Sequence, residues 1–143
     1  MRLYPPGYLI SRAPLHDTQV LGYDLKPSDT LLISPYTIHR NPDIYPEPEK
    51  FLPERFTPEA EKSRPRHSFL PFSAGPHTCL GNFFALMEAQ ILLSVMVQRV
   101  DLQALPGQTV VAEPGVSLRM SPYKLRVSHR GTVERPAQSL ASA

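Results

Sequence analysis

The sequence has a single cysteine, Cys79. One cysteine excludes an internal disulfide and a multi-cysteine zinc site, and it fits a reducing compartment. The chain also lacks an excess of charge of either sign. Fifteen Lys and Arg stand against thirteen Asp and Glu, a formal net charge of +2, which is too balanced to point to nucleic acid. Long apolar runs are missing. None approaches the roughly 18 residues that a membrane-spanning helix needs; the best candidates, residues 83–87 and 91–97, are short and set apart by the polar Glu88 and Gln90. The N-terminal Met-Arg-Leu-Tyr-Pro-Pro has no apolar core after its basic residue, so no secretory leader is expected. A cytoplasmic location, with no membrane segment in this chain, is the expectation.

What the chain has in plenty is proline. There are 17 in 143 residues, where average usage of about 5% gives roughly seven. Glycine is ordinary at seven, and 41% of residues are hydrophobic, so the composition is globular. Proline removes backbone donors and stops helices. Much of the chain must therefore be ordered coil and short elements. Residues 7–33 read as short strands and turns, with Lys26-Pro27-Ser28-Asp29 predicting a hairpin turn. Ser34-Pro35 predicts a short helix ending at His39. Residues 40–71 are too rich in proline for one regular element. Their aromatic and apolar residues (Ile44, Tyr45, Phe51, Leu52, Phe56, Phe69) argue for a packed coil, with residues 59–64 its most exposed and mobile part.

Residues 82–99 are the one strong helix, free of Pro and Gly. The apolar positions cover nearly the whole circumference, which marks a helix buried on every side. At 1.5 Å per residue it spans roughly 27 Å. Burying that length needs several neighbouring helices, and the chain offers no second long one, so it reads as part of something larger. Val110-Val111, residues 116–119 and residues 124–127 read as short β segments, and residues 131–143 as a frayed tail.

The chemistry concentrates in residues 72–81, Phe-Ser-Ala-Gly-Pro-His-Thr-Cys-Leu-Gly, running straight into that helix. A free thiol has a pKa near 8.5 and is mostly protonated at neutral pH. A helix N-terminus presents unpaired N–H groups and partial positive charge, which favour an anion beside it. Gly75 and Gly81 let backbone approach the sulfur or a flat ligand. Most lone cysteines are nonetheless inert, buried hydrophobes. A zinc site has only His77 as a second ligand, and a nucleophilic role needs a base that His16, His39, His67 and His129 cannot be placed to supply from sequence.

The segment resembles the haem-binding signature of the cytochrome P-450 family: Phe, any two, Gly, any, Arg or His, any, Cys, any, Gly. Phe72, Gly75, His77, Cys79 and Gly81 fill the five specified positions. Pro53-Glu54-Arg55-Phe56 resembles a further motif of the family. Residues 39–43 and 46–51 resemble its meander, and Arg2-Leu3-Tyr4-Pro5-Pro6 the end of its Glu-x-x-Arg helix. The resemblance covers residues 1–130, as a partial domain. It implies an α+β chain, the C-terminal portion of a mainly α fold: β-hairpin region, proline-rich meander, cysteine loop, one long buried helix, terminal β segments.

By this resemblance Cys79 is the axial iron ligand of a haem b, Phe72 shields the sulfur, and Gly75 and Gly81 allow close backbone approach. His77 and Arg12 fall where the family contacts the haem propionates. A solvated arginine at a strand end is an equal reading for Arg12. Arg2 and Arg55 match the two arginines of a buried structural Glu-Arg-Arg network whose glutamate precedes Arg2 by three positions and so is not in this sequence. Pro6 to Leu9 and Gly115 to Ser117 fall where the family lines its substrate pocket. Lys62, Arg64 and Arg66 suit either an acidic electron donor or simple solvation. The activity implied for the intact parent is haem-thiolate monooxygenation of an organic, apolar substrate by O₂. NAD(P)H would supply electrons through a ferredoxin or flavoprotein reductase. The alternatives are a catalytically inactive truncated fragment, or a haem-binding module without oxygenase activity.

Overall fold

The computed structural model describes residues 1–131. The predicted tail lies outside the described residues from 132 onward. The chain forms two compact units, Met1–Cys79 with Val111–Ser121, and Leu80–Val110 with the residues from Pro122 on.

The first unit is built from two-stranded antiparallel ribbons and coil. β1 (Ile10–Arg12) pairs with β4 (Leu31–Ile33), placing Arg12 opposite Leu31. β2 (Thr18–Val20) pairs with β3 (Tyr23–Leu25). The reversal between them is Leu21-Gly22, both at positive φ (52° and 86°). This is the primed-turn geometry that matches the twist of flanking strands. The Lys26–Asp29 turn forms, with Asp29 N–H donating to Lys26 O at 2.9 Å. It does not close a hairpin, because β3 is already paired with β2, and β4 with β1.

α1 (Pro35–Ile38) follows the sequence expectation. The Ser34 hydroxyl accepts from Thr37 N–H and Pro35 stands in the first turn. A 3₁₀ turn spans Pro53–Phe56. Residues 59–64, expected as mobile coil, instead belong mostly to α2 (Pro58–Ser63). The Thr57 side chain caps it by accepting from Ala60 N–H, and Glu59 and Glu61 suit its positive end.

The core of this unit is small and unusually polar: Arg2, Pro5, Pro35, His39, Tyr45 and Ser68 are its buried residues. Each polar member carries its own bond. Tyr45 Oη donates to Ser68 O at 3.0 Å, and Ser68 Oγ to Pro65 O at 2.6 Å. Arg64 stacks its guanidinium on Phe56 at 4.7 Å and bonds the Arg55 carbonyl. Arg40 lies 3.7 Å over the Tyr36 ring and pairs with Glu49 at 2.9 Å. Aromatic faces and rigid guanidinium forks thus knit a coil that proline bars from regular pairing. β6 (Ala112–Glu113) and β7 (Arg119–Met120) complete the unit as a short ribbon.

The second unit holds α3 (Asn82–Arg99), which runs directly into β5 (Val100–Ala104). β5 pairs over its full length with β8 (Leu125–His129). The sequence reading missed β5 and placed the other strands within a few residues of where they form. The expected burial of α3 does not occur: none of its residues is buried, with Phe83 82% and Leu93 60% exposed. The physical reason is supply of surface. Eighteen residues apolar all round need neighbours on every face, and among the described residues α3 is the only long helix. No described helix is long and apolar enough to cross a membrane.

Candidate functional site

The cysteine loop begins where the polar core ends. Leu70 N–H donates to His39 Nε2 at 2.8 Å, fixing the chain just before Phe72. The backbone then turns twice through the left-handed region, at Ser73 (φ 62°) and Gly75 (φ 71°). Ser73 occupies a conformation that costs a non-glycine residue of order 1 kcal/mol. Gly75 occupies it freely, and open space surrounds the position where a Cβ would stand. A 3₁₀ turn follows over Gly75–His77. Thr78 closes it with both its N–H (3.1 Å) and its hydroxyl (2.8 Å) on Gly75 O. Cys79 N–H then donates back to Phe72 O at 2.9 Å. The result is an eight-residue loop pinned at both ends, presenting an exposed, unbridged thiol.

Arg12 reaches this loop from β1. Its Nη2 donates to Ser73 Oγ at 3.2 Å, and its Nη1 to Ser11 O at 2.8 Å. Arg12 is the last residue of β1, half-buried, and its side chain contacts the cysteine loop. Ile10, Arg12, Ile33, His67, Leu70, Ser73, Ala74 and Gly75 line a largely apolar cleft of about 360 Å³ whose polar side chains are Arg12, His67 and Ser73. His77 is exposed, in the turn two residues before Cys79. Gly81 is the N-cap of α3 at φ −85°, ψ 6°, a conformation open to any residue, so its backbone angles do not require glycine.

The two matched arginines are brought to one region, each on backbone carbonyls. Arg2 donates to His39 O (2.9 Å), Pro48 O (2.6 Å) and Lys50 O (2.8 Å). Arg55 donates to Pro46 O (2.6 Å) and Glu47 O (3.0 Å). Burial, then repulsion from Arg55 and Arg40, lowers the Arg2 pKa. Arg55 Nε is buried with no partner. Two like charges thus stand near each other, one with an orphaned buried donor, an arrangement that a carboxylate placed between them would relieve. An apolar cleft of about 520 Å³ opens beside Arg2, lined also by Leu52, Phe56 and Phe69, away from Cys79.

The expected pocket-lining stretches meet. Leu118 N–H donates to Pro6 O at 2.9 Å and Tyr8 Oη to Gly115 O at 3.0 Å, and Tyr8 and Leu9 line a cleft with Ala112, Pro114 and Leu118. Of the basic trio, Arg64 turns inward onto aromatic rings, leaving Lys62 and Arg66 exposed. Sequence reasoning missed His39 and Ser73. Their partners are 31 and 61 residues away, and no local pattern marks such bonds.

The donor set fits haem in part: a free thiol, soft enough for iron, on a pinned loop, with a largely apolar cleft lined also by Arg12, His67 and Ser73 beside the loop. Comparison with known proteins agrees. The family model described as Cytochrome P450 matches residues 1–127. Cyclooctatin synthase of Streptomyces melanosporofaciens is 36% identical over 125 residues, 87% of this chain and 27% of its own. Carotene epsilon-monooxygenase of Arabidopsis thaliana is 38% identical over 122 residues, covering 82% and 23%. Among solved structures, the retinoic acid bound cyanobacterial CYP120A1 superposes with a TM-score of 0.82 at 32% identity, covering 90% of this chain and 30% of that one. The cytochrome P450DA heme domain gives 0.84 at 23% identity, over 91% and 29%, a likeness of fold. The chain spans about a quarter of the length of the curated relatives it matches. Signature, pinned loop, α+β fold and family match converge over the same residues, and the chain belongs to the cytochrome P450 family.

Proposed function

We propose that this chain is the thiolate-bearing half-site of a haem monooxygenase, with Cys79 as the residue whose thiolate would hold the iron. The observation that carries the reading is the exposed Cys79 thiol on a loop closed by its own N–H on Phe72 O. That bond holds the backbone that carries the sulfur before any ligand arrives, so less ordering entropy remains to be lost on binding. Phe72, Gly75 and Gly81, the other signature positions, would leave room for the flat ligand to come close to backbone. Arg12 and His77 would take its propionates by charge-assisted bonds. Arg2 and Arg55 hold the meander that carries the loop, through its carbonyls.

When bound, haem supplies the iron at which O₂ is activated, and thiolate ligation pushes electron density toward it and favours O–O cleavage. Oxygen insertion is proposed for a protein of the relatives' full length; for residues 1–143 the proposal is ligand, propionate contacts and one edge of the substrate pocket. NAD(P)H serves through a ferredoxin or flavoprotein reductase, and the exposed Lys62 and Arg66 suit an acidic partner. An apolar substrate is supported by the cleft of Tyr8, Leu9, Ala112, Pro114 and Leu118. Carotene, in the name of one relative, is a long apolar hydrocarbon, and retinoic acid, bound in one solved structure, is a long apolar chain ending in a carboxylate.

The test is to express residues 1–143, add haem, reduce and add CO. A thiolate-type ferrous–carbonyl Soret band that is lost in Cys79→Ser supports the ligand assignment. The same band persisting in Cys79→Ser sinks it.

A further inference from the structure

His39 is wholly buried, at 0% exposure, yet the roles above leave it unused. It sits between the two halves of the candidate site. Its carbonyl accepts from Arg2 Nη1 at 2.9 Å. Its Nε2 lies 2.8 Å from Leu70 N. The ring packs against Phe69 with centroids 5.0 Å apart. A backbone amide can only donate, so Nε2 must be the unprotonated nitrogen and the proton rests on Nδ1. Nδ1 is itself buried without a partner. The ring is therefore held in one tautomer by a single bond, and that bond lands two residues before Phe72, whose carbonyl closes the Cys79 loop. Burial, with the cationic Arg2, N-terminal amine and Arg40 nearby, keeps the imidazole neutral by lowering its pKa to about 4.

We infer that His39 is a positioning residue for the iron ligand: its Nε2 anchors the Leu70 amide and thereby sets the start of the loop that presents Cys79. The inference rests on the reading of Cys79 as the ligand. A ring that merely filled the core would be replaceable by any side chain of its size. An anchor needs an acceptor at the Nε2 position. Glutamine places an amide oxygen about there, asparagine stops one bond short, and leucine fills the space without accepting.

The experiment compares the 143-residue chain with His39→Leu, His39→Gln and His39→Asn. Amide hydrogen exchange is followed at Leu70, at Cys79, and at Leu118, whose bond to Pro6 O reports on the same unit elsewhere. The expected result is exchange about five- to tenfold faster at Leu70 and Cys79 in His39→Leu, as for loss of one hydrogen bond, with Leu118 unchanged and His39→Gln restoring most of the protection. In the haem-loaded chain the thiolate-type carbonyl band should weaken in His39→Leu and recover in His39→Gln. Equal changes at all three amides, or a glutamine variant indistinguishable from leucine, would overturn the inference. Should His39→Leu fail to fold, glutamine against asparagine decides it, and equal exchange in those two refutes the anchor. A wild-type chain with no thiolate-type band sinks the ligand reading separately, while the exchange data still show whether His39 sets the loop.

Discussion

Arg12 and Ser73 are joined by a hydrogen bond of 3.2 Å across 61 residues of chain. It brings a fixed cation from β1 to the loop of Cys79, at a serine whose backbone is already strained at φ 62°. One contact thus ties the β1–β4 ribbon to the cysteine loop and places a guanidinium beside it.

Arg12→Ala therefore removes both a strut and a charge. Haem titration of the chain should show affinity reduced roughly tenfold or more, as for loss of a charge-assisted bond. Ser73→Ala breaks only the strut and should cost about threefold or less. If the two variants lose affinity equally, Arg12 acts on the loop alone and its propionate role is refuted.

Gly75→Ala tests the loop's backbone. Nothing lies within 4 Å of the new Cβ, so no clash arises, but φ is +71°. The cost is conformational, about 1 kcal/mol, read as a lower urea midpoint with unchanged slope. A midpoint equal to wild type would mean that the loop relaxes to another turn.

The titration of His39 makes stability depend on pH. Its pKa falls from 6.5 to about 4 in the folded chain, chiefly through burial. Between those values the unfolded chain binds more protons, so stability is full above pH 6.5 and declines as pH falls toward 4. Urea midpoints across this window should drop steeply for wild type and less for His39→Gln, which has no proton to gain. Parallel curves for the two proteins would contradict the assignment.

The exposed apolar residues of α3 carry a solution prediction. Phe83, Phe84, Ile91, Leu92 and Leu93 each stand more than half exposed, and contiguous apolar surface of this kind drives association. Sedimentation of the chain should show concentration-dependent self-association. Phe83→Lys combined with Ile91→Lys should reduce it without loss of helical circular dichroism. Undiminished association would place the sticky surface elsewhere.

The sequence by itself determined the signature loop, the helix behind it, the Pro-headed turn of α1 and the family to which they belong. These are local: spacing, proline and glycine positions and apolar runs act within a few residues. It misplaced the hairpin, because a turn such as Lys26–Asp29 does not say which strand its flanks will pair with. It misread residues 59–64, where Thr57 and Pro58 were start signals for α2. For α3 it read the demand for burial correctly from the residues, but exposure depends on what else is present to pack.

Only the tertiary structure decided that Arg12 meets Ser73, that Arg2 and Arg55 both end on meander carbonyls, and that His39 accepts from Leu70. The reason is physical. A long-range hydrogen bond between a side chain and a backbone amide leaves no periodicity and no preferred residue type. It exists because a proline-rich coil, short of its own donors and barred from regular ladders, must satisfy its remaining polar groups with whatever the fold brings within 3 Å.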